Sequence, residues 1–248
     1  MSNDPLRGPK LKVERAKHHV NDAKREIVAF INSYPYGMGE EVDPQSGDKL
    51  VKVHLRRPIP NIIEGATADA VHNLRISLDQ LACCLAALHG SPDSEDTYFP
   101  FARGRQHFES KSTQRKVQKL DPKAIAMICA LEPYKGGNNL LWSLHSLDLM
   151  DKHRTLIQVG TVNRRMNIGR LTVSGPVEIL APRWNPLEES MAVFRIRPGA
   201  KLEDDVKFAL EIAFREVGLE GQPVIAVLNE FLKLVEDILR KFESAFFK

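Results

Sequence analysis

The stretch KFALEIAFR, residues 207–215, decides the fold class. Phe208, Leu210, Ile212 and Phe214 alternate with Lys207, Ala209, Glu211 and Arg215. A spacing of two is the period of a strand with one face buried. A helical stripe through Val206, Leu210, Ala213 and Val217 competes. The strand ranks first because four consecutive alternations involve large apolar groups.

Outward from this stretch, residues 154–216 keep the period of two, with turn signals at Gly169, Gly175-Pro176, Pro182 and Pro198-Gly199. Downstream, Val224, Val227, Leu228, Phe231, Val235, Ile238, Leu239 and Phe242 form the apolar stripe of a helix from Pro223 to Phe246. Upstream, Leu140, Leu141, Leu144 and Leu147 give a helix over 139–151, and Gly136-Gly137 separates it from another that begins at Asp121-Pro122. Residues 91–111, with Phe99, Pro100, Phe101 and Phe108, read as an irregular connection.

A long helix is predicted from Ile62 to His89, with Asn61 as N-cap, Glu64 in capping-box position and Gly90 as its stop. Its stripe is Val71, Leu74, Leu78, Leu81 and Leu85. Residues 49–56 alternate as a half-buried strand ended by Pro58 and Pro60. Val13, Ala16, Val20, Ala23, Ile27 and Ile31 mark a helix over 10–32.

Strands in one block rather than alternating with helices favour α+β over α/β. The expected fold is a helical layer of four to five helices, a small antiparallel β-sheet and a long C-terminal amphipathic helix. The chain reads as one α+β domain over 1–248: a helical part over 9–151, a strand-rich part over 152–217 and a closing helix over 222–247. That last stripe suits either a homodimer or a buried core helix.

Composition narrows the function classes. With 43% hydrophobic and 27% charged residues among 248, the chain is globular rather than disordered. A formal charge of +3 admits nucleic acid or another anionic ligand as partner without demanding either. Three cysteines, two of them adjacent, make a poor disulfide framework, and no CxxC pair offers a thiolate zinc site. No apolar leader or membrane-length run is present, so the expected location is the cytoplasm and no membrane partner is expected. P-loop, GxGxxG, HExxH and GxSxG motifs are missing, and no cofactor is called for.

Two clusters are candidates for chemistry. In DAVHNLRISLDQL, residues 69–81, the helix carries Asp69, His72, Asn73, Arg75 and Asp79 opposite its leucine stripe. His72 suits an acid or base near neutral pH, and Arg75 suits bidentate capture of phosphate or carboxylate. The competing reading is a solvated face with Arg75 and Asp79 as an i,i+4 pair. In LMDKHRTL, residues 149–156, Asp151, Lys152, His153 and Arg154 stand in a row at a helix end, where cations also simply complement the dipole.

Residues 103–123 add Arg103, Arg105, Lys111, Arg115, Lys116, Lys119 and Lys123 against Glu109 and Asp121, with His107 and Phe108 between. That is either a nucleic-acid footprint or a solvated basic face. Asp69/His72 and His145/Asp148 are i,i+3 dyads of the kind that build carboxylate–histidine metal sites, but no further ligands accompany them.

The segment DAVHNLRISLDQLA resembles the D-x-x-H-N-L-R-S-x-L-D-H-L block of a family of uncharacterised bacterial and phage proteins. LLWSLHSLDLMDKHRTL is similar to that family's second block, which ends in D-K-H-R. The resemblance implies that Asp69, His72, Asn73, Arg75, Asp79, Asp151, Lys152, His153 and Arg154 form one signature, and it implies no activity. A fainter likeness to HEPN domains, helical nucleotide-binding or ribonuclease modules with an R-x-x-x-x-H motif, meets Gln80 at the histidine position.

Two functions follow. In the first, the protein is a binding or structural module whose two clusters meet as an ionic network, with Asp79–Arg154 and Asp151–Arg75 as the expected cross-pairs. In the second, it is a metal-independent nuclease or nucleotide-directed enzyme. There His72 and His153 are base and acid, and Arg75, Lys152 and Arg154 stabilise a pentavalent phosphate.

Overall fold

The computed structural model describes residues 4–92, 95–153, 159–181, 184–185, 188–215 and 218–247; at 152–153, 159–173 and 202–210 it describes the backbone alone. The chain is α+β, and it forms two compact units, each assembled from separate stretches of sequence.

The first unit comprises Met1–Ala23, Glu64–Ile157 and Ile225–Lys248. Its frame is the greater part of three long helices, α1 (Arg7–Asn32), α2 (Asn61–Leu88) and α7 (Val224–Phe246); α1 from Lys24 onward, α2 up to Ile63 and Val224 of α7 fall in the second unit. Their apolar stripes are the ones that helical periodicity requires. Val71, Leu74, Leu78, Leu81 and Leu85 of α2 are buried, as are Val227, Leu228, Phe231, Val235, Ile238, Leu239 and Phe242 of α7. Lys10 reaches Glu243 at 2.5 Å and Lys17 reaches Glu236 at 2.8 Å, so α1 runs antiparallel to α7. Ser77 Oγ donates to Pro9 O at 3.0 Å and His19 Nδ1 lies 3.9 Å from Asp69, so α1 runs antiparallel to α2 as well.

Gly90 terminates α2 in the left-handed region (φ 86°), where Ser91 N donates to Ala86 O at 2.9 Å and Gly90 N to Ala87 O at 3.1 Å. Asn61 is the first helical residue rather than the residue before it, one position earlier than the capping box would set.

Short helices α3 (Arg105–Phe108) and α4 (Lys111–Gln114) follow. Then comes α5 (Pro122–Cys129), whose N-cap Asp121 accepts from Lys123 N at 2.7 Å. Helix α6 (Asn139–His153) completes this unit's helices among the described residues.

The second unit comprises Lys24–Ile63 and Gln158–Val224. Strands β1 (Tyr36–Val42) and β2 (Lys49–Leu55) form a hairpin with Tyr36 opposite Leu55 and Val42 opposite Lys49. Strand β2 also pairs antiparallel with β5 (Ser190–Ile196), and β5 with β4 (Val177–Ile179). The resulting order is β1-β2-β5-β4. One face buries Val51, Val53, Met191, Val193, Phe194 and Ile196.

A two-stranded ribbon joins β3 (Val159–Ser174) to β6 (Lys201–Phe214). KFALEIAFR therefore lies mostly in a strand. Several features differ from the sequence reading, α3 within the expected irregular connection of 91–111 among them. Strand β1 falls where only a helix break is legible, and the 49–56 strand, expected among the helices, belongs to the strand-bearing unit.

A candidate polar site between two helices

Within the helical unit the polar face of α2 meets α6. His72 Nδ1 lies 2.8 Å from Asp148 Oδ1. The Asp148 side chain is only 3% exposed, whereas that of His72 is 37% exposed. An ionised carboxylate accepts only, so the shared proton sits on His72 Nδ1 and Nε2 carries the lone pair when the ring is neutral.

One turn along each helix the pairing repeats. Arg75 Nε donates to His145 Nδ1 at 3.2 Å, which leaves the proton of a neutral His145 on Nε2.

Arg75 is buried, with its side chain 8% exposed, and three neighbours surround it. Asp79 Oδ1 stands 2.7 Å from Nη1, an ion pair by distance whose angle falls short of a hydrogen bond. The Phe101 ring lies under the guanidinium, 4.4 Å from its centre. Phe101 in turn stacks on His145 at 4.4 Å and 12°, and Trp142 meets His145 edge-on at 5.6 Å. Asp79 also accepts from Phe99 N at 3.0 Å, which straps residues 97–101 across α2. A buried charge is tolerable only when paired, and Arg75 meets that condition.

The other signature residues are less central. Asn73 is buried and back-bonds to Asp69 O at 2.8 Å, and the exposed Asp69 faces His19. Asp151 lies one turn beyond Asp148 on α6 and is half-buried. Lys152 and His153 end α6; their side chains and the whole of Arg154 lie outside the described residues, and so does the expected Asp79–Arg154 pair.

The two blocks do share a helix interface, but in the described part α6 reaches α2 through His145 and Asp148. Arg75 finds its carboxylate on its own helix. The Asp69/His72 and His145/Asp148 dyads divide between different partners, and among the described residues no group of three or more His, Cys, Asp or Glu is placed to hold a metal ion.

Two neighbours sharpen the electrostatics. The Lys116 ammonium is held below the ordinary lysine range, first by burial and then by the positive charge of Arg75, with Asp79 working against both. The Cys83 thiol, whose Sγ is 3.6 Å from Thr97 O, is pushed up by partial desolvation and then by Asp79.

Sequence reasoning missed Phe101, Trp142 and Lys116 as members of the site and saw His145 and Asp148 only as a metal dyad. Their i,i+3 spacing was the available signal; which groups they would face was not.

The strand-bearing unit has its own charged cluster, on the outer face of the β1–β2 hairpin. Lys52 bridges Glu41 and, at 3.2 Å, Glu188. These groups line an open concavity of about 560 Å³ with His54 and Ser190. Glu41 and then Glu188 raise the Lys52 ammonium above its ordinary value, against the opposing effect of burial.

Compared with known protein families, with curated proteins and with solved structures, the chain gives no match.

Proposed function

We propose that the protein is a binding module in which the signature residues serve the fold, locking the helical unit through a charged network and performing no chemistry of their own. The burial of Arg75 among partners of its own helical unit carries this reading. Capture of a phosphate or carboxylate needs an open guanidinium fork, and this one is engaged by Asp79, His145 and Phe101.

The test combines stability with turnover. Arg75→Met should lower the unfolding midpoint, while RNA incubated with the wild type or with His72→Ala stays intact. Cleavage by the wild type that disappears in His72→Ala sinks the proposal. The three cysteines are free thiols, which supports a reducing compartment, the cytoplasm, as the place of action.

One observation favours a second reading, a metal-independent ribonuclease or nucleotide-directed enzyme. His72 is half-exposed and oriented through Nδ1 by a buried carboxylate, the arrangement that presents Nε2 as a general base. His153 would be the acid, with Lys152 and Arg154 joining Arg75 around the phosphate. It ranks second because Arg75 is engaged within the protein and Gln80 stands where the HEPN-type histidine belongs. A bell-shaped pH–rate profile lost in both His72→Ala and His153→Ala would reverse the ranking.

A further inference from the structure

We infer that residues 103–123, together with Tyr98, form a surface that binds the phosphate backbone of a single-stranded nucleic acid. This names the ligand of the binding module proposed above and rests on that reading.

Charge is the first argument. The segment holds seven Lys or Arg against two acids, a net +5, in a chain whose total is +3, so all its other residues together carry −2. The segment thus carries more net positive charge than the whole chain.

Placement is the second. Phe108, Val117 and Leu120 are buried and anchor the segment, and Phe108 packs on Tyr134 with ring centres 5.3 Å apart. Arg103, Arg105, Lys111, Arg115 and Lys123 stay exposed. Arg105 pairs with Glu109 at 3.0 Å with both side chains in solvent, a contact that phosphate readily replaces. Among the described residues Arg103, Lys111 and Arg115 have no carboxylate partner.

The third argument is an aromatic platform. Tyr98 N donates to Lys116 O at 3.3 Å, which fixes the strap against the basic segment. Phe99 and Phe101 turn inward while Tyr98 remains 48% exposed. Backbone-tracking cations beside an exposed ring are how unpaired strands are held, since every base offers a face for stacking.

The competing partners fit less well. A membrane surface asks for apolar side chains that insert, and among 103–123 no large hydrophobic side chain is exposed. Duplex readout through the major groove asks for a helix or ribbon that enters it, and α3 and α4 are four residues each.

The experiment is fluorescence anisotropy of the full chain with a labelled pyrimidine RNA or DNA strand of about 20 nucleotides, titrated from about 50 to 300 mM salt. Parallel arms use the same sequence as a duplex, vesicles containing phosphatidylserine, and polyglutamate. We expect binding to the single strand with an affinity that falls steeply with salt. In the Arg103→Gln, Lys111→Gln, Arg115→Gln triple variant the log–log slope should flatten by about two units. Tyr98→Ala should weaken binding about tenfold. The substituted residues are exposed, so the variants' unfolding midpoints should match the wild type.

Three results overturn the inference: no binding at the lowest salt, wild-type affinity in the triple variant, or duplex or vesicle binding as tight as that of the single strand. The two proposals fail separately. Cleavage of the probe sinks the non-catalytic reading, whereas an intact probe that does not bind sinks this one.

Discussion

The α2–α6 interface and the outer face of the β1–β2 hairpin both gather oppositely charged side chains, at very different depths. Arg75 and Asp148 are 8% and 3% exposed, while Lys52, Glu41 and Glu188 are 22%, 62% and 54% exposed. Distances do not separate the two regions, since both contain contacts near 3 Å. Burial does. A solvated pair that breaks regains water, whereas a buried one leaves a stranded charge. The helical cluster is therefore an obligation of the fold and the hairpin cluster an accessory.

The sharpest way to break this contrast is Arg75→Ala. It strands the Asp79 charge, empties the space over Phe101 and removes the donor to His145. We expect a loss of about 2–4 kcal/mol, seen as a fall of roughly 5–15 °C in thermal midpoint. A change within error would mean the guanidinium is far more solvated than its environment indicates.

Asp148→Asn keeps the shape and removes the charge facing His72. The expected cost is about 1–2 kcal/mol by urea unfolding. An equal cost in the His72→Ala background would show that the two residues are not coupled.

Lys116→Met reverses the sign. The folded-state lysine is depressed, so the unfolded chain binds the proton more tightly and stability rises with pH across the interval up to the ordinary lysine value. At neutral pH the variant should gain a few tenths of a kcal/mol, roughly, and the gain should shrink as pH climbs through that interval. A constant gain at all pH values would point to packing alone.

The smallest effect is expected for Lys52→Gln: under about 0.5 kcal/mol, and less at about 1 M salt. The folded Lys52 is raised, so its contribution is present below the ordinary lysine value and fades as pH rises through the folded one. A loss as large as that of Asp148→Asn would erase the distinction between the two regions.

Much of the scaffold is legible because its signals are local. The α2 and α7 stripes, the Asp121-Pro122 start and the Gly90 stop each depend on residues within a few turns, and each stands where the pattern puts it. Strand β1 is not legible, because YGMGEEV has no clean alternation. A side chain at Gly37 would displace the Arg56 side chain and crowd His54, while one at Gly39 would make only ordinary contact with His54. The reason for Gly37 lies across the hairpin.

The candidate site divides in the same way. His72, Arg75 and Asp79 stand out as a polar face on an apolar helix, and Arg75–Asp79 is a pair that helical spacing alone offers. Asp148 and His145, 76 and 70 residues away from their partners, acquire their roles only when α6 lies against α2.

By itself, then, the sequence determined the long helices, the block of strands and which helix face is polar, because periodicity and end signals act over one or two turns. Tertiary structure alone decided that β2 pairs with β5, that Phe101 closes over Arg75 and that His72 meets a buried carboxylate. Those contacts join residues far apart along the chain, and their register follows from how whole faces pack rather than from any local preference.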